Sequence, residues 1–309
     1  MKAKVAVLMG GWSPEREVSL VSGKACAEGL REGGYHVLEY DVKRDLRALI
    51  DFLRPADGGG PEVVFNALHG RYGEDGCIQG LLEVMGIPYT GSGVLASAVA
   101  MDKVTSKRLF ENAGIPTAPF VIHRAGEPLP APPGGFPCIV KPASEGSSVG
   151  VSLVHDASEL LPSLSVAHRY DPVALVERYV KGREIQVAIL DGRVLGTLEI
   201  VPEGHELYDY ETKYTAGLAK HLCPAPLAAG VRARIEALAQ QANDLLGCEG
   251  ATRVEFLLEH DRDPWILEIN TLPGMTPTSL VPEIAGHAGI SFDELVARLI
   301  ASARLKIPR

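Results

Sequence analysis

The sequence predicts an α/β fold that becomes α+β in its C-terminal part. In the first third of the chain, short apolar runs alternate with amphipathic stretches, an order typical of a parallel sheet covered by helices. Later apolar runs follow one another across short turns, which indicates antiparallel strands. The length of 309 residues exceeds one average core, so we expect two or three domains.

The N-terminal part is expected to alternate strand and helix. The predicted strands are KVAVLMGG, HVLEYDV, PEVVFNALHG and IPYTGSG. The predicted helices are SPEREVSLVSGKACAEGLREGGY, RDLRALIDFL, DGCIQGLLEVMG and, as one continuous helix, VLASAVAMDKVTSKRLFENAG. In the first of these helices Ser13 is expected at the N-cap, Pro14 at the first helical position and Glu15 in the first turn.

The remaining chain is expected to be richer in antiparallel sheet. FPCIVKP and VGVSLVH bracket a glycine- and serine-rich loop, and REIQVAILDGRVLGTLEIVP has a hairpin turn at Asp191 and Gly192. The polar segment 203–222 has weak periodicity and predicts a long mobile loop. A helix from about Ala229 to Leu246, the strands ATRVEFLLE and PWILEIN, and a helical C-terminus complete the prediction.

The composition argues against several classes of protein. The net charge is -9 and no basic run occurs, so we expect no nucleic-acid partner. Five scattered cysteines without a CxxC pair disfavour a zinc knuckle or a disulfide framework and fit a reducing cytoplasm. The apolar run in MKAKVAVLMGG is too short for a signal peptide or a membrane span, so we expect a buried strand and no membrane association.

The stretch KPASEGSSVGVSL, residues 141–153, is a candidate phosphate-binding loop. It lacks the GxxxxGK[ST] pattern and is followed by a strand, which excludes a Walker A loop. Its backbone N–H groups and hydroxyls could still fold over phosphates, and Lys141 could add a positive charge. An ordinary surface turn is the alternative, and the loop taken alone favours that turn.

Two predicted strands carry carboxylates on one face. Residues two apart in a strand share a face, so Arg253 lies with Glu255, and Glu268 lies with Asn270. In a hairpin these pairs come opposite each other and form an oxygen-rich site suited to Mg²⁺ and nucleotide phosphates. A solvated face with an Arg253 salt bridge is the alternative. The metal site is favoured because facing like charges are destabilising without a cation.

The stretch GSGVLA, residues 91–96, nearly matches the dinucleotide fingerprint GxGxxG/A. No acidic residue ends a second strand about twenty residues later, as that fingerprint requires. We therefore interpret GSGVLA as a packing turn. A nicotinamide-dependent oxidoreductase, which depends on this match alone, is the weakest functional alternative.

Together these pieces resemble the D-alanine–D-alanine ligase family of the ATP-grasp superfamily. The resemblance covers nearly the whole chain, in the family order, through GGWSPEREVSL, ALHGRYGEDGCIQGLLEVMGIPYTGSG, MDKVTSK, VKPASEGSSVG, YDYETKY, RVEFLLE, LEINTLPGMTPTSLVP and AGISFDELV. It implies a Rossmann-like α/β domain at 1–95, a central ATP-grasp subdomain at 96–182, and a C-terminal subdomain at 183–309 with a metal site and a mobile loop.

The resemblance also implies roles for individual residues. The nucleotide would contact Lys103, Lys141, Glu145, Gly146, Ser147, Ser148, Glu177, Arg178, Tyr179, Val180, Glu184 and Lys213. Two Mg²⁺ or Mn²⁺ ions would be held by Glu255, Glu268 and Asn270. The family commonly has aspartate where this chain has Glu255, which puts the reach of that ligand in question.

The implied substrate-binding and catalytic residues lie in several motifs. The first D-alanine would contact Glu15, with Ser147, Tyr214 and His69 nearby; the carboxylate of the second would contact Lys213, Ser279 and Leu280; and the oxyanion would be stabilised by Arg253 and Gly274. No catalytic role follows for Trp12.

The implied reaction is ATP-dependent formation of D-alanyl-D-alanine through a D-alanyl phosphate, for peptidoglycan precursor synthesis, by a homodimer. D-Lactate or D-serine as second substrate is the nearest alternative, disfavoured by Lys213 and Tyr214 in YDYETKY. A non-catalytic nucleotide-binding relative is disfavoured because every expected polar position is occupied.

Overall fold

The structure is a computed structural model that describes residues 2–202 and 219–307. The strands within these ranges are β1 (Lys4–Gly10), β2 (His36–Val42), β3 (Val63–Asn66), β4 (Phe120–Arg124), β5 (Cys138–Pro142), β6 (Ser152–Val154), β7 (Val173–Arg178), β8 (Gly182–Leu190), β9 (Arg193–Pro202), β10 (Ala219–Leu222), β11 (Ala251–Glu259) and β12 (Asp263–Asn270). The helices are α1 (Arg16–Glu32), α2 (Leu46–Leu53), α3 (Cys77–Met85), α4 (Val94–Met101), α5 (Lys103–Asn112), α6 (Ala157–Ala167), α7 (Ala229–Leu246), α8 (Leu280–His287) and α9 (Phe292–Ala301).

The N-terminal sheet is parallel, with strand order β2-β1-β3. This arrangement confirms the α/β prediction for the N-terminal part. The predicted fourth strand is wrong, because Tyr89 forms isolated bridges, a parallel one with Val64 and an antiparallel one with Arg304, and no strand. The amide of Val64 donates to the Pro88 carbonyl, but the chain then turns away at Gly91, whose φ of +85° is in the left-handed region.

The two other sheets are antiparallel, as the α+β prediction requires. One has the order β10-β9-β8-β11-β12 and the other the order β4-β7-β5-β6. The hairpin between β8 and β9 turns at Asp191 and Gly192, which have φ values of +48° and +73°. These positive values are those of a two-residue hairpin turn, so the predicted turn is confirmed. The glycine loop connects β5 to β6, also as predicted.

The long helix predicted for residues 94–112 is interrupted. Asp102 adopts an extended conformation with φ -86° and ψ 101°, which ends α4 and begins α5. Its carboxylate accepts a hydrogen bond of 2.7 Å from the Thr105 amide. Asp102 is therefore an N-cap inside a segment whose composition favours one continuous helix.

The start of α1 also differs from the prediction. The helix begins at Arg16 and has Glu15 at its N-cap position, so Ser13 is not the N-cap. The Ser13 hydroxyl instead donates to the His69 carbonyl at 2.7 Å and accepts from the Glu15 amide at 3.2 Å. These bonds hold the loop after β1 against the loop after β3.

Some elements were absent from the sequence-based prediction. Helix α6 lies in a segment for which no element was predicted, and β10 lies inside the segment 203–222 that was predicted to be a loop. Residues 203–218 of that segment lie outside the described residues. The helical C-terminus is present, as α8 and α9.

A shared hydrophobic core joins the N-terminal sheet to the five-stranded sheet. Val7 of β1 and Cys26 of α1 belong to the same buried cluster as Leu198 of β9, Val281 of α8 and Leu295 of α9. This cluster fixes the loop after β1 relative to the five-stranded sheet. The expected domain boundaries after residues 95 and 182 stay a prediction.

Trp12 has a packing role in this arrangement. Its ring lies 5.0 Å from the ring of Tyr72, and the Arg44 guanidinium lies 5.8 Å from its centroid. Trp12 also packs against the core cluster under β1 and β3. Among the helices that the structure describes, none is both long enough and apolar enough to cross a bilayer.

Replacing Asp102 by alanine is expected to destabilise the protein. The Asp102→Ala variant loses the cap on the Thr105 amide, and such a loss typically costs about 1 kcal/mol. Asp102→Asn keeps an oxygen acceptor and is expected to retain most of the stability. Urea unfolding measures both variants, and an alanine variant as stable as wild type would contradict the capping role.

Candidate active site

A large cleft lies where the three sheets approach one another. Its volume is about 1380 Å³, and it is lined by the loop after β1, α1, the loop after β3, the end of α4, the start of α5, the glycine loop, β8, β10, β11, β12, the segment before α8 and the first turns of α8 and α9. The lining includes these sequence-predicted residues: Glu15, His69, Lys103, Gly146, Ser147, Arg253, Glu255, Glu268, Asn270, Gly274, Ser279 and Leu280.

The carboxylates of β11 and β12 are arranged as the alternation pattern indicates. In the strand register Glu255 is opposite Glu268, and Arg253 is opposite Asn270. The register shifts directly after Glu255, so Leu267 is an extra residue on β12. Glu255 is buried, so the facing charges are partly withdrawn from water.

Each of these carboxylates has a cation beside it. The Arg253 guanidinium donates to a Glu255 oxygen, and Lys103 Nζ lies 3.1 Å from Glu268 Oε2. Lys103 Nζ also donates to the Glu145 carbonyl at 2.7 Å. Burial would lower the pKa of Lys103, but Glu268 and further carboxylates outweigh burial and raise it. Lys103 therefore stays charged and connects the carboxylate face to the glycine loop.

The glycine loop contacts the loop after β1. Ser147 and Ser148 have positive φ values of 50° and 57°, which non-glycine residues seldom adopt. The Ser147 hydroxyl donates to the Glu15 carboxylate. A Cβ atom at Gly146 would lie 3.3 Å from Glu15 Oε2, so glycine permits this close approach. Burial raises the pKa of Glu145 in the same loop.

Lys141 and Glu177 form a buried charge cluster behind this loop. Lys141 Nζ lies 2.9 Å from Glu177 Oε2, and Lys107 Nζ lies 3.1 Å from Glu177 Oε1. The resemblance places Glu177 beside the adenine, yet its carboxylate is engaged with two lysines. Lys107 was not among the residues that the sequence singled out.

The segment after Glu177 is held in place by contacts of Arg178. The Arg178 guanidinium makes a bidentate ion pair with Glu259 at 3.0 and 3.1 Å and lies 4.7 Å from the Trp265 ring centroid. Its amide donates to the Pro119 carbonyl. The Arg178 side chain thus joins β7 to the β11–β12 hairpin, while Val180 is buried. Tyr179 lies between Arg178 and Val180.

His69 also lines the cleft, in the loop after β3. Its Nδ1 is 3.4 Å from Glu74 Oε1, and its Nε2 is 3.3 Å from the Ser22 hydroxyl. The Ser22 hydroxyl also accepts from the Met275 amide at 3.1 Å. His69 is therefore connected through Ser22 to the segment that precedes α8.

The segment before α8 brings Gly274, Ser279 and Leu280 together. The Ser279 hydroxyl accepts from the Thr276 amide at 2.9 Å, and Leu280 is the first residue of α8. The free amides at a helix N-terminus favour an anionic group, so this end of the cleft can receive a carboxylate. A Cβ atom at Gly274 would lie 2.9 Å from Ser279 Oγ.

Gln186 is a further polar residue of the cleft that sequence reasoning missed. It is opposite Glu255 in the register of β8 and β11, and its Nε2 donates to Glu184 Oε1 at 2.9 Å. Gln186 Oε1 is buried and has no hydrogen-bond partner in residues 2–202 and 219–307. The signal was available, because Glu184 and Gln186 are two apart in a strand.

Two expected site residues, Lys213 and Tyr214, lie outside the described residues. In the part of the chain that the structure describes, no group of three or more His, Cys, Asp or Glu side chains could hold a metal ion. The expected metal ligands are instead two carboxylates and the Asn270 carboxamide. Their hard oxygen donors suit Mg²⁺ or Mn²⁺, and the Glu255–Glu268 register brings two of them together.

The sequence matches two family profiles. The first is described as the D-ala D-ala ligase N-terminus and matches residues 49–92, and the second as the D-ala D-ala ligase C-terminus and matches residues 109–301. A D-alanine–D-alanine ligase of Geobacter sulfurreducens is 52% identical over 309 residues, covering 98% of this chain and 95% of that protein. One of Citrifermentans bemidjiense is 52% identical over 306 residues, covering 99% and 98%.

The fold is also similar to that of solved ligases. A D-alanine–D-alanine ligase from Bacillus anthracis complexed with ATP superimposes with a TM-score of 0.85 at 31% sequence identity, covering 97% of each chain. A second structure of the Bacillus anthracis ligase gives the same TM-score at 34% identity. The resemblance inferred from the sequence motifs is therefore confirmed.

Replacing Gly274 by alanine is expected to displace the Ser279 hydroxyl. The new Cβ would lie 2.9 Å from Ser279 Oγ, so the Thr276 amide would lose its acceptor. We expect the free energy of unfolding to fall by about 1–2 kcal/mol.

Gly286→Ala is the matched control for this substitution. Gly286 lies within α8, and a Cβ atom there would meet nothing within 4 Å. Since alanine is the better helix former, this control should be neutral or slightly stabilising. Thermal and urea unfolding measure both variants, and equal stability of the two would rule out the crowding at Gly274.

Proposed function

The chain belongs to the D-alanine–D-alanine ligase family, and we propose that it joins two D-alanines to D-alanyl-D-alanine while ATP is cleaved to ADP and phosphate. The observation that carries the proposal is the convergence on one cleft of Lys103, the glycine loop, the Glu255–Glu268 face and Glu15. This cleft can hold a polyphosphate, divalent metal ions and a small zwitterion side by side. The dipeptide would serve peptidoglycan precursor synthesis.

The first step activates a carboxylate. A carboxylate oxygen of the first D-alanine attacks the γ-phosphorus of ATP, and the bond between that phosphorus and the β–γ bridging oxygen breaks, releasing ADP. Glu15 would hold the ammonium of this D-alanine, and Ser147 keeps the glycine loop against Glu15. Lys103 and Lys141 would offset the charge on the transferred phosphoryl group. The product is D-alanyl phosphate.

The second step forms the peptide bond. The amine of the second D-alanine, after losing a proton, attacks the carbonyl carbon of D-alanyl phosphate, and the C–O bond to phosphate breaks. Arg253 and the Gly274 amide would stabilise the oxyanion that forms in between. Ser279 and the amide of Leu280 at the N-terminus of α8 would receive the carboxylate of the second D-alanine.

Divalent cations fit the donor set of β11 and β12. We propose that Glu255, Glu268 and Asn270 hold Mg²⁺ or Mn²⁺, with two ions in the site. The ions would supply electrostatic stabilisation of the transferring phosphoryl group. In the structure Lys103 and Arg253 lie against the same two carboxylates, so these cations compensate their charge. Glu255 is one methylene longer than the aspartate common in the family.

The identity of the second substrate is the part of the function that needs a direct test. Phosphate release from ATP is measured with D-alanine, D-serine and D-lactate, and the products are identified by mass. The proposal predicts that D-alanyl-D-alanine is the main product whenever D-alanine is in the assay, also when D-serine or D-lactate is added. Preferential formation of the D-lactate ester or of a mixed dipeptide would contradict the proposal and show that D-lactate or D-serine is the second substrate.

We also propose that the protein works in the cytoplasm as a homodimer. The five free cysteines, three of them buried, are compatible with a reducing compartment. Its ligands would be ATP and D-alanine, with neither nucleic acid nor membrane as a partner. Sedimentation of the purified chain tests the dimer.

Glu268→Gln tests the metal site. The substitution keeps the shape of the side chain but removes one charge, so the site should lose metal affinity and turnover should fall at least about 100-fold. Glu294→Gln, at an exposed position of α9, is the matched control and should retain activity. Ligase rates are measured across a Mg²⁺ series; wild-type activity of Glu268→Gln at ordinary Mg²⁺ would refute the assignment.

Glu255→Asp is the companion test. It restores the residue common in the family, and we expect activity to survive if the longer side chain is merely tolerated. The Mg²⁺ series again provides the measurement. A collapse of activity on shortening Glu255 would mean that this chain requires the longer reach.

Arg253→Lys tests the oxyanion role. Lysine keeps the charge but lacks the planar fork of donors, and the loss of one such donor costs on the order of 10²–10³ in kcat. Arg193→Lys, at an exposed position of β9, is the control and should leave kcat unchanged. The measurement is kcat at saturating ATP and D-alanine, and an undiminished value for Arg253→Lys would contradict the role.

A further inference from the structure

We infer that Lys107 is a positioning residue for the nucleotide, because it is the counter-ion of Glu177 that stays in place and thereby leaves Lys141 available to ATP. This inference rests on the proposed function, in which Lys141 contacts the phosphates. Lys107 lies on α5, one turn after Lys103. It is not among the expected site residues.

The buried carboxylate divides its two oxygens between two lysines. Lys107 Nζ lies 3.1 Å from Glu177 Oε1, and Lys141 Nζ lies 2.9 Å from Glu177 Oε2. The side chain of Lys107 is 0% exposed, that of Glu177 3% and that of Lys141 10%. Of the two lysines, Lys141 is therefore the one with a path out of the cluster, and the glycine loop begins just after it.

Lys107 is held in place by contacts that Lys141 does not share. Its Nζ donates to Thr117 Oγ1 at 2.7 Å and lies 5.2 Å from the ring centroid of Phe120. Thr117 Oγ1 in turn donates to the Ile266 carbonyl at 3.0 Å. Because Ile266 belongs to β12, this chain of bonds ties Lys107 to the strand that carries Glu268.

The charge balance of the cluster explains why two lysines are needed. Burial would raise the pKa of Glu177, but Lys141 and Lys107 outweigh burial and lower it, so the carboxylate is ionised. Burial lowers the pKa of Lys107, and Glu177 opposes that shift. Two ammonium groups around one carboxylate leave one positive charge in excess, and that excess can serve an incoming phosphate.

Without Lys107 the remaining pair would be neutral. Lys141 could then reach a phosphate only by leaving a buried carboxylate without a partner, and such a loss is strongly unfavourable. The function of Lys107 is thus to lower the free-energy cost of moving the Lys141 ammonium from Glu177 to a phosphate. Removing the Glu177 charge together with Lys107 should likewise restore a Lys141 that is available to ATP.

Calorimetric titration with ATP and Mg²⁺ tests this cluster. Lys107→Met keeps an unbranched side chain without the charge, and we expect its Kd for ATP to rise roughly tenfold, which corresponds to about 1.4 kcal/mol. KM for ATP should rise in parallel, with a smaller change in kcat. Arg108→Met, which removes a cation from the next, exposed residue of α5, should bind ATP within about twofold of wild type.

The double variant Lys107→Met/Glu177→Gln gives the decisive comparison. It restores the single excess charge on Lys141, so its Kd for ATP should return to within about threefold of wild type. If Lys107 served only packing, or if the Glu177 carboxylate contacted the adenine, the double variant would bind as weakly as the single variant or more weakly. That result would overturn the inference. If Lys107→Met does not fold, the Kd of the double variant is compared directly with that of wild type.

The product assay separates this inference from the proposed function. If wild type makes D-alanyl-D-alanine but the double variant does not recover ATP binding, only the inference on Lys107 fails. If the Kd values for ATP of wild type, Lys107→Met and the double variant follow the expected pattern but wild type makes no dipeptide, only the proposed function fails.

Discussion

Two facing carboxylates impose the main constraint on this structure. Glu255 and Glu268 are opposite each other across β11 and β12, and like charges at that spacing are destabilising without nearby cations. Arg253 supplies one cation from the same strand, and Lys103 supplies the other from the start of α5. The interruption at Asp102 is what allows a helix to begin at Lys103, beside the carboxylates.

Contacts between the antiparallel sheets keep the charged clusters of the cleft in a fixed relation. Thr117, which precedes β4, bonds to the Ile266 carbonyl of β12, and Arg178 of β7 is clamped by Glu259 of β11. The first contact connects the buried lysine cluster to the strand that carries Glu268. A shift between the sheets would therefore disturb the Lys107–Glu177–Lys141 cluster and the Glu255–Glu268 face together, so the two charged clusters depend on the same interface.

Much of the fold and of the carboxylate face could be predicted, because alternation along a strand is a local signal. The pairing of Glu255 with Glu268 followed from that alternation and a hairpin turn. The break at Asp102 could not be predicted, since the flanking residues favour helix and a single cap decides against it. The Lys107–Glu177 contact joins residues 70 positions apart, and only the tertiary fold brings them together. The prediction of a fourth strand was wrong because the chain turns at Gly91 before the short apolar run can pair over the length of a strand.

The most direct test of the account follows the oxygen atoms of the first substrate. D-Alanine labelled with ¹⁸O in its carboxylate is incubated with ATP and the enzyme, and the released phosphate and nucleotide are analysed by mass. Attack of the carboxylate on the γ-phosphorus, followed by cleavage of the C–O bond, predicts one labelled oxygen in inorganic phosphate for each dipeptide formed. Unlabelled phosphate, or label in AMP, would contradict the formation of D-alanyl phosphate in this cleft.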